Sequence, residues 1–197
     1  MYWKDDGYLL SKNNFDENSL IIEAFTNNHG KYTGIVYGGQ SRKIKKIFQL
    51  GNKLLLNWKS KNENSTGYFN VEILKPVSAN FFNDKIKLTC LLSAASILKI
   101  LLPERQINKK IYLSFENLIN NLVFQDFLKT YIFWEISLIK ELGYEITSYN
   151  ISTDNISSKQ EIYKALHFNK DLFMENFIIP NKLKFPLHRD ILEKYLK

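Results

Sequence analysis

The apolar residues of this chain change their period once, at Lys75-Pro76, and that change limits the folds open to it. Before it, apolar and polar residues alternate in short runs bounded by Gly, Asn and Ser, the pattern of strands and turns. Tyr8-Leu9-Leu10 begins one strand after Gly7, and Leu20 to Thr26 is a second. Asn27-Asn28-His29-Gly30-Lys31 is a turn cluster, because Asn and Gly tolerate left-handed backbone. Tyr32 to Tyr37 follows as a third strand, so residues 20–37 are expected to form a hairpin. Gly38-Gly39-Gln40-Ser41 opens a loop that ends near Ile47. Lys53 to Trp58, a polar turn at Lys61 to Ser65, and Gly67 to Leu74 complete five strands. Five short strands in this length predict a small barrel. The five-stranded oligonucleotide-binding (OB) barrel is the obvious candidate, and an SH3-like barrel would give nearly the same pattern.

Beyond Pro76 the spacing is helical. Asp84 to Leu102 is apolar nearly all round, a central helix ended by Pro103. Ile107 to Leu122 is a second helix. Phe124 to Leu142 is a third, its apolar residues at steps of three and four and Gly143 placed as its C-cap. Ser148 to Ser158 reads as a polar loop. Two short helices at about 159–168 and 170–177 and a last one at 187–196 follow. The expected class is α+β: an all-β barrel over residues 1–75, then an all-α helical domain over 76–197. So small a barrel needs support, so the helical part is expected to rest against it.

Charge suggests what the barrel meets. The chain carries a net charge of +7. Residues 1–75 hold 11 bases and 7 acids, and between Glu23 and Glu63 there is no acid at all. That run contains Lys31, Arg42, Lys43, Lys45, Lys46, Lys53, Lys59 and Lys61, with Tyr32, Tyr37, Phe48 and Trp58 threaded among them. Bases attract phosphates and flat rings stack on nucleobases, so the pairing suits a single-stranded nucleic acid. Lys31, Arg42, Lys43, Lys45 and Lys46 are the expected phosphate contacts, with Lys53 and Lys59 in support. Tyr32, Tyr37 and Trp58 are the candidate stacking rings, although alternation should bury about half the aromatics. A solvated basic face is the plainer alternative. An RNA-binding OB accessory of translation or ribosome assembly remains open, since nothing identifies a reader of the 2′-hydroxyl. A protein-only scaffold meeting acidic partners is also open.

Catalytic arrangements are missing from the pattern. Gly38-Gly39-Gln40-Ser41 lacks the Lys-Ser or Lys-Thr of a phosphate-cradling loop. His29, His167 and His188 have no metal-ligand spacing, and no nucleophile–base set can be nominated. The single cysteine, Cys90, excludes an intramolecular disulfide and falls in an apolar run, so a buried inert thiol is expected. No signal peptide is expected from Met1-Tyr2-Trp3-Lys4-Asp5-Asp6, and Ile86 to Leu102 is short for a bilayer. The reading is a cytoplasmic binder with no catalysis, cofactor, metal or membrane contact.

Several stretches resemble one family in order along the chain. Gly7-Tyr8-Leu9-Leu10, the run Glu17 to Lys31, Val36-Tyr37-Gly38-Gly39-Gln40-Ser41-Arg42 and Gln49-Leu50-Gly51-Asn52 are similar to the opening of the bacterial recombination mediator family RecO. Phe133-Trp134-Glu135, Leu138 and Leu142-Gly143-Tyr144 resemble its helical domain. Phe173 to Leu196, with Pro180, Phe185-Pro186 and Arg189, resembles the tail of its shorter members. The resemblance implies an OB barrel, a helical domain, and binding of single- and double-stranded DNA. It also implies annealing of complementary strands and partnership with RecR. Together such proteins help RecA displace the single-strand-binding protein, whose acidic, apolar C-terminal tail the family docks. A groove flanked by bases such as Lys99, Arg105 or Lys129 is the expected receiver of that tail. Many members carry a four-cysteine zinc module after the Leu-Gly-Tyr segment. Glu145 to Ser158 contains no cysteine, so no metal is expected here.

Overall fold

The computed structural model describes residues 1–41, 44–62, 65–144, 146 and 158–197. Five strands, β1 (Tyr2–Asn14), β2 (Leu20–Thr26), β3 (Gly30–Val36), β4 (Lys53–Lys59) and β5 (Gly67–Lys75), close into a barrel. Their order is β1-β2-β3-β5-β4, and every pairing is antiparallel except the short parallel one between β3 and β5. This OB-like arrangement is built from period-two alternation. Leu20, Ile22 and Ala24 of β2, and Leu54, Leu56 and Trp58 of β4, point into one core with Leu9, Val36, Phe48 and Phe69. The parallel pairing joins Gly34 to Gly67. A Cβ on Gly67 would lie 2.3 Å from the Trp58 ring, so only a bare backbone lets β5 cross that indole. The expected hairpin forms, with Thr26 paired to Gly30 across the turn.

β1 differs from its expected start. It begins at Tyr2, not after Gly7, and runs for 13 residues. Asp5 holds its first half: its carboxylate accepts the Asn28 backbone N–H at 2.7 Å and the Asn28 side-chain amide at 2.9 Å, and meets His29 Nδ1 at 2.8 Å. Trp3 stacks on the His29 ring, centroids 4.3 Å apart. An acidic residue ahead of the expected strand start is therefore the fastening of the β2–β3 turn to β1. The first half of β1 pairs with β4 and the second with β2, and a bulge between Leu9 and Ser11 gives the bend between them.

The chain divides into two compact units. The first is Met1–Asn83 with Ala95–Tyr112. Alongside the barrel it contains the end of α1 (Lys85–Leu101) and the start of α2 (Lys109–Asn121). Tyr112 is buried, its hydroxyl donating to Asp6 Oδ2 at 2.5 Å and its ring 5.5 Å from those of Tyr8 and Phe25. Arg105 N–H donates to the Lys31 carbonyl at 2.8 Å, and the Thr33 hydroxyl donates to Glu104 at 2.6 Å.

The second unit is Asp84–Ala94 with Leu113–Lys197. It contains α3 (Phe127–Glu141), α4 (Lys159–Phe173) and α5 (Leu187–Leu196). Gly143 follows α3 with φ +94°, as its C-cap role requires. The two short helices expected over 159–168 and 170–177 are one: α4 runs unbroken into a π-helical turn at Met174–Ile178. Asn169, a weak helix former in sequence, is buried and spends its amide on the Ile132 carbonyl and Glu135, each at 3.1 Å. Glu135 also receives the buried Arg189 guanidinium at 2.6 Å, which donates as well to the Leu166 carbonyl at 2.6 Å. That network ties α3, α4 and α5 together. Cys90 is fully buried, and burial raises its thiol pKa well above the usual value, as an inert thiol requires. The predicted 148–158 loop lies outside the described residues except at Ser158, which caps α4 by a reciprocal bond with Glu161.

Candidate nucleic-acid interface

Alternation that sends Trp3, Trp58 and Phe69 inward sends their neighbours outward in register. Tyr2 pairs with Lys59, and Lys59 with Tyr68, so β1, β4 and β5 carry one continuous outward row. The next outward row is Lys4, Asn57 and Asn70. Tyr2 is 61% exposed and Tyr68 41%. The Lys59 ammonium sits 5.5 Å from the Tyr2 ring centroid, and Tyr2, Asn57, Lys59 and Asn70 line a shallow hollow of about 550 Å³. At the Tyr68 end of the row, Tyr37 is 64% exposed with its ring 6.1 Å from that of Tyr68. Three tyrosine rings and a lysine therefore share one side of the sheet with amides that can donate and accept.

A second basic feature lies at the β3–β4 connection. Lys45 and Lys46 are exposed on a single 3-10 turn, Lys45–Ile47. Lys12 of β1 is exposed beside it, its ammonium donating to the Phe48 carbonyl at 2.5 Å. Burial, and next the charge of Lys45, lower the Lys12 pKa. Two like charges drawn together are relieved by an anion between them.

The expected site residues thus separate. Tyr37, Lys45, Lys46 and Lys59 are exposed, Lys59 and Tyr37 both belonging to the tyrosine-bearing side. Arg42 and Lys43 lie outside the described residues. Trp58 is only 2% exposed: it is a core ring over Gly67 with no face for a base. Lys31 is 8% exposed, its ammonium donating to the Lys99 carbonyl at 2.7 Å, and burial lowers its pKa, so it anchors the 95–112 segment rather than meeting phosphate. Lys53 pairs with Asp6 at 3.0 Å and leans over Tyr8 and Tyr112. Tyr32 is half-buried among Trp3 and Trp58 with the Arg105 guanidinium over its ring at 5.4 Å. Tyr2, Lys4, Lys12, Asn57, Tyr68 and Asn70 were not singled out. Their signal was parity: each alternates with an inward residue of its strand.

The bases proposed to flank a peptide groove also separate. Lys99 pairs with Glu23 at 3.3 Å, and Arg105 covers Tyr32, both within the first unit. Of the three, Lys129 lines a groove of about 440 Å³ in the second unit, with residues of α2 and α3 and with Asp126, whose carboxylate lies 4.0 Å from its ammonium. Trp134 also lines it and is buried, and its indole N–H has no acceptor among the described residues.

Among the described residues no group of three or more His, Cys, Asp or Glu side chains could hold a metal ion, and no helix is long and apolar enough to cross a membrane. The chain matches the family models described as "Recombination protein O N terminal" over residues 1–77 and "Recombination protein O C terminal" over residues 83–150. It is 35% identical to the DNA repair protein RecO of Roseobacter denitrificans over 147 residues, 74% of this chain and 61% of that one. It is 37% identical to that of Cereibacter sphaeroides over 144 residues, 73% of this chain and 60% of that one. With the DNA repair protein RecO of Rickettsia peacockii the identity is 31%, covering 93% of this chain and 82% of that one. The chain spans about three fifths of the length of the first two relatives.

Proposed function

The chain belongs to the RecO family of DNA repair proteins, and from that premise we propose that its barrel binds DNA without regard to sequence. The observation that carries the reading is the outward row Tyr2–Lys59–Tyr68 with Tyr37 beside it. Exposed rings on a sheet give unpaired bases a surface to stack on, and Lys59 gives the backbone a charge. Lys45, Lys46 and Lys12 supply phosphate contacts that read charge alone. In this reading the protein is a cytoplasmic, non-catalytic mediator: it anneals complementary strands and, with RecR, helps load RecA onto DNA coated by single-strand-binding protein. The α2–α3 groove is the proposed receiver of that protein's acidic tail, with Lys129 meeting carboxylate beside Trp134.

Salt titration of oligonucleotide affinity tests the first part. If about four to six phosphates are neutralised, affinity for a single strand falls with salt at a log–log slope near −3 to −4. Charge reversal at Lys45 and Lys46 flattens that slope by about 1.4 while the melting temperature stays put. An affinity indifferent to salt would refute the reading. For the groove, Trp134 fluorescence is expected to change on titration with an acidic-tail peptide and to stop responding in Lys129→Glu; a peptide that leaves the signal flat removes the groove from the proposal.

A further inference from the structure

The amides on the barrel's outer face stand where an unpaired base would show its edge. β1, β4 and β5 turn three rows outward: Tyr2–Lys59–Tyr68, Lys4–Asn57–Asn70 and Asp6–Leu55–Glu72. Lys59 and Lys4, in the first two rows, are exposed and make no ion pair among the described residues. The third row carries acids instead, Asp6 and the exposed Glu72. A phosphate backbone is therefore confined to the first two rows, by attraction there and repulsion beyond. Asn57 and Asn70 are direct partners across β4 and β5, so their side chains leave the sheet side by side, about 5 Å apart at Cβ. Asn70 is exposed, and its amide makes no hydrogen bond among the described residues. Asn57 is half-buried and accepts one long bond, from the Tyr2 hydroxyl at 3.4 Å, while its NH2 group donates to none of the described residues. Both line the hollow of about 550 Å³ that Tyr2 and Lys59 wall. A ring, a charge and two amides thus open on one space.

We propose that Asn57 and Asn70 read the Watson–Crick edge of an unpaired base lodged in this hollow, and so make the barrel prefer single strands to duplex. The proposal rests on the reading of the barrel as a DNA-binding surface and names what that surface selects. A carboxamide presents a donor and an acceptor side by side. Each of the four bases presents the matching pair on its Watson–Crick edge: an N–H beside a ring nitrogen in adenine and cytosine, an N–H beside a carbonyl oxygen in guanine and thymine. A half-turn of the amide exchanges its donor and acceptor, so one asparagine serves all four. In a duplex those same edge groups are spent on the complementary strand. Pairing state is read, and sequence is not.

The test titrates the full chain against a labelled oligothymidylate, the same oligomer with every thymine methylated at its ring N–H, and a duplex of equal length. Methylation removes the edge donor and leaves the ring face and the backbone charge. The parent is expected to bind the methylated strand about five- to tenfold more weakly than the plain one. Asn57→Ala/Asn70→Ala should bind both strands alike, near the parent's affinity for the methylated one. Its duplex affinity, salt slope and melting temperature should match the parent's, because Lys4, Lys59 and the rings are untouched. Asn70→Ala alone, at an exposed position with no bond to lose, should lose part of the discrimination. In the double variant, oligodeoxyadenylate and oligodeoxycytidylate should weaken with oligothymidylate, within about twofold of one another. A loss confined to one base overturns the inference in favour of a sequence-reading site. A double variant that still tells plain from methylated strands overturns it too. A parent chain that binds plain and methylated strands equally overturns it and leaves stacking and charge to carry the barrel reading, while one that binds no oligonucleotide ends both.

Discussion

At the scale of single residues, Asp6 shows how the barrel's charges are spent on its own structure. Burial alone would raise its pKa. The hydrogen bond from Tyr112 and that from Lys53, with the Lys53 charge, outweigh burial and hold it below the usual carboxylate value. A carboxylate with a lowered folded pKa adds stability that is fully present above the ordinary carboxylate range. It is lost as pH falls through the folded value. Tyr112→Phe keeps the ring and removes one donor. It is expected to cost about 1–2 kcal/mol at neutral pH, low in the range for a bond to a charged group because Asp6 keeps partial access to water. At an acidic pH, as the folded carboxylate takes up its proton, the gap between parent and variant should narrow. Urea unfolding at the two pH values measures this; an equal gap at both would show that packing, not the charge, is lost. Lys31 teaches the same lesson in reverse. Its place in a long acid-free run suggested phosphate, yet its ammonium serves the Lys99 carbonyl. Charge sign along a sequence does not say which way a strand residue faces, nor what later segment will cover it.

Elements were legible wherever one period ran uninterrupted. The bounds of β2 and α5 follow directly from alternation and from the Pro186 entry. Errors arose where a residue's local preference was overruled by a distant partner. Gly7 suggested a strand start, but it sits mid-strand with partners on both sides, at Thr26 and Leu54. Asn169 falls where two helices were expected to part, and its bonds to Glu135 and Ile132 hold it inside one. The candidate interface was half legible for a related reason. The acid-free run ended before Tyr68, and Tyr2 preceded it, so charge drew attention away from the rows that parity defines. If those rows bind unpaired bases, Tyr68→Ala and Tyr2→Ala should each weaken single-strand binding by about 1–3 kcal/mol, roughly five- to 160-fold. Both rings are exposed, so melting should shift little. Duplex affinity, which offers no free base faces, should change far less. Anisotropy titrations on single and double strands separate the two cases, and an equal loss on both would remove stacking from the account.

For the whole molecule, chain order and compact units do not coincide. The change of period at Lys75-Pro76 marks where strands stop, but the first unit also takes in Ala95–Tyr112. α1 is one helix whose early turns fall in one unit and whose last turns fall in the other. No local signal announces this, because Tyr112, Lys99 and Glu104 read as ordinary helix and loop residues until the barrel presents Phe25, Asp6, Lys31 and Thr33 to them. The consequence is testable by truncation. A fragment of residues 1–77 retains every strand and most of the barrel core, yet it loses the ring that covers Phe25 and Tyr8, the Tyr112 donor to Asp6 and the acceptor of Lys31. Uncovering a Phe-sized side chain forfeits about 1.5–3 kcal/mol. Leaving a buried ammonium without its acceptor costs about as much again unless water reaches it. A barrel this small has little stability to spare. The fragment is therefore expected to melt well below the full chain and to bind a dye for exposed apolar surface. A fragment ending after Tyr112 should recover most of the loss, although it lacks the rest of the helical unit. Equal melting of the two fragments would mean that residues 95–112 merely rest on the barrel and do not complete it.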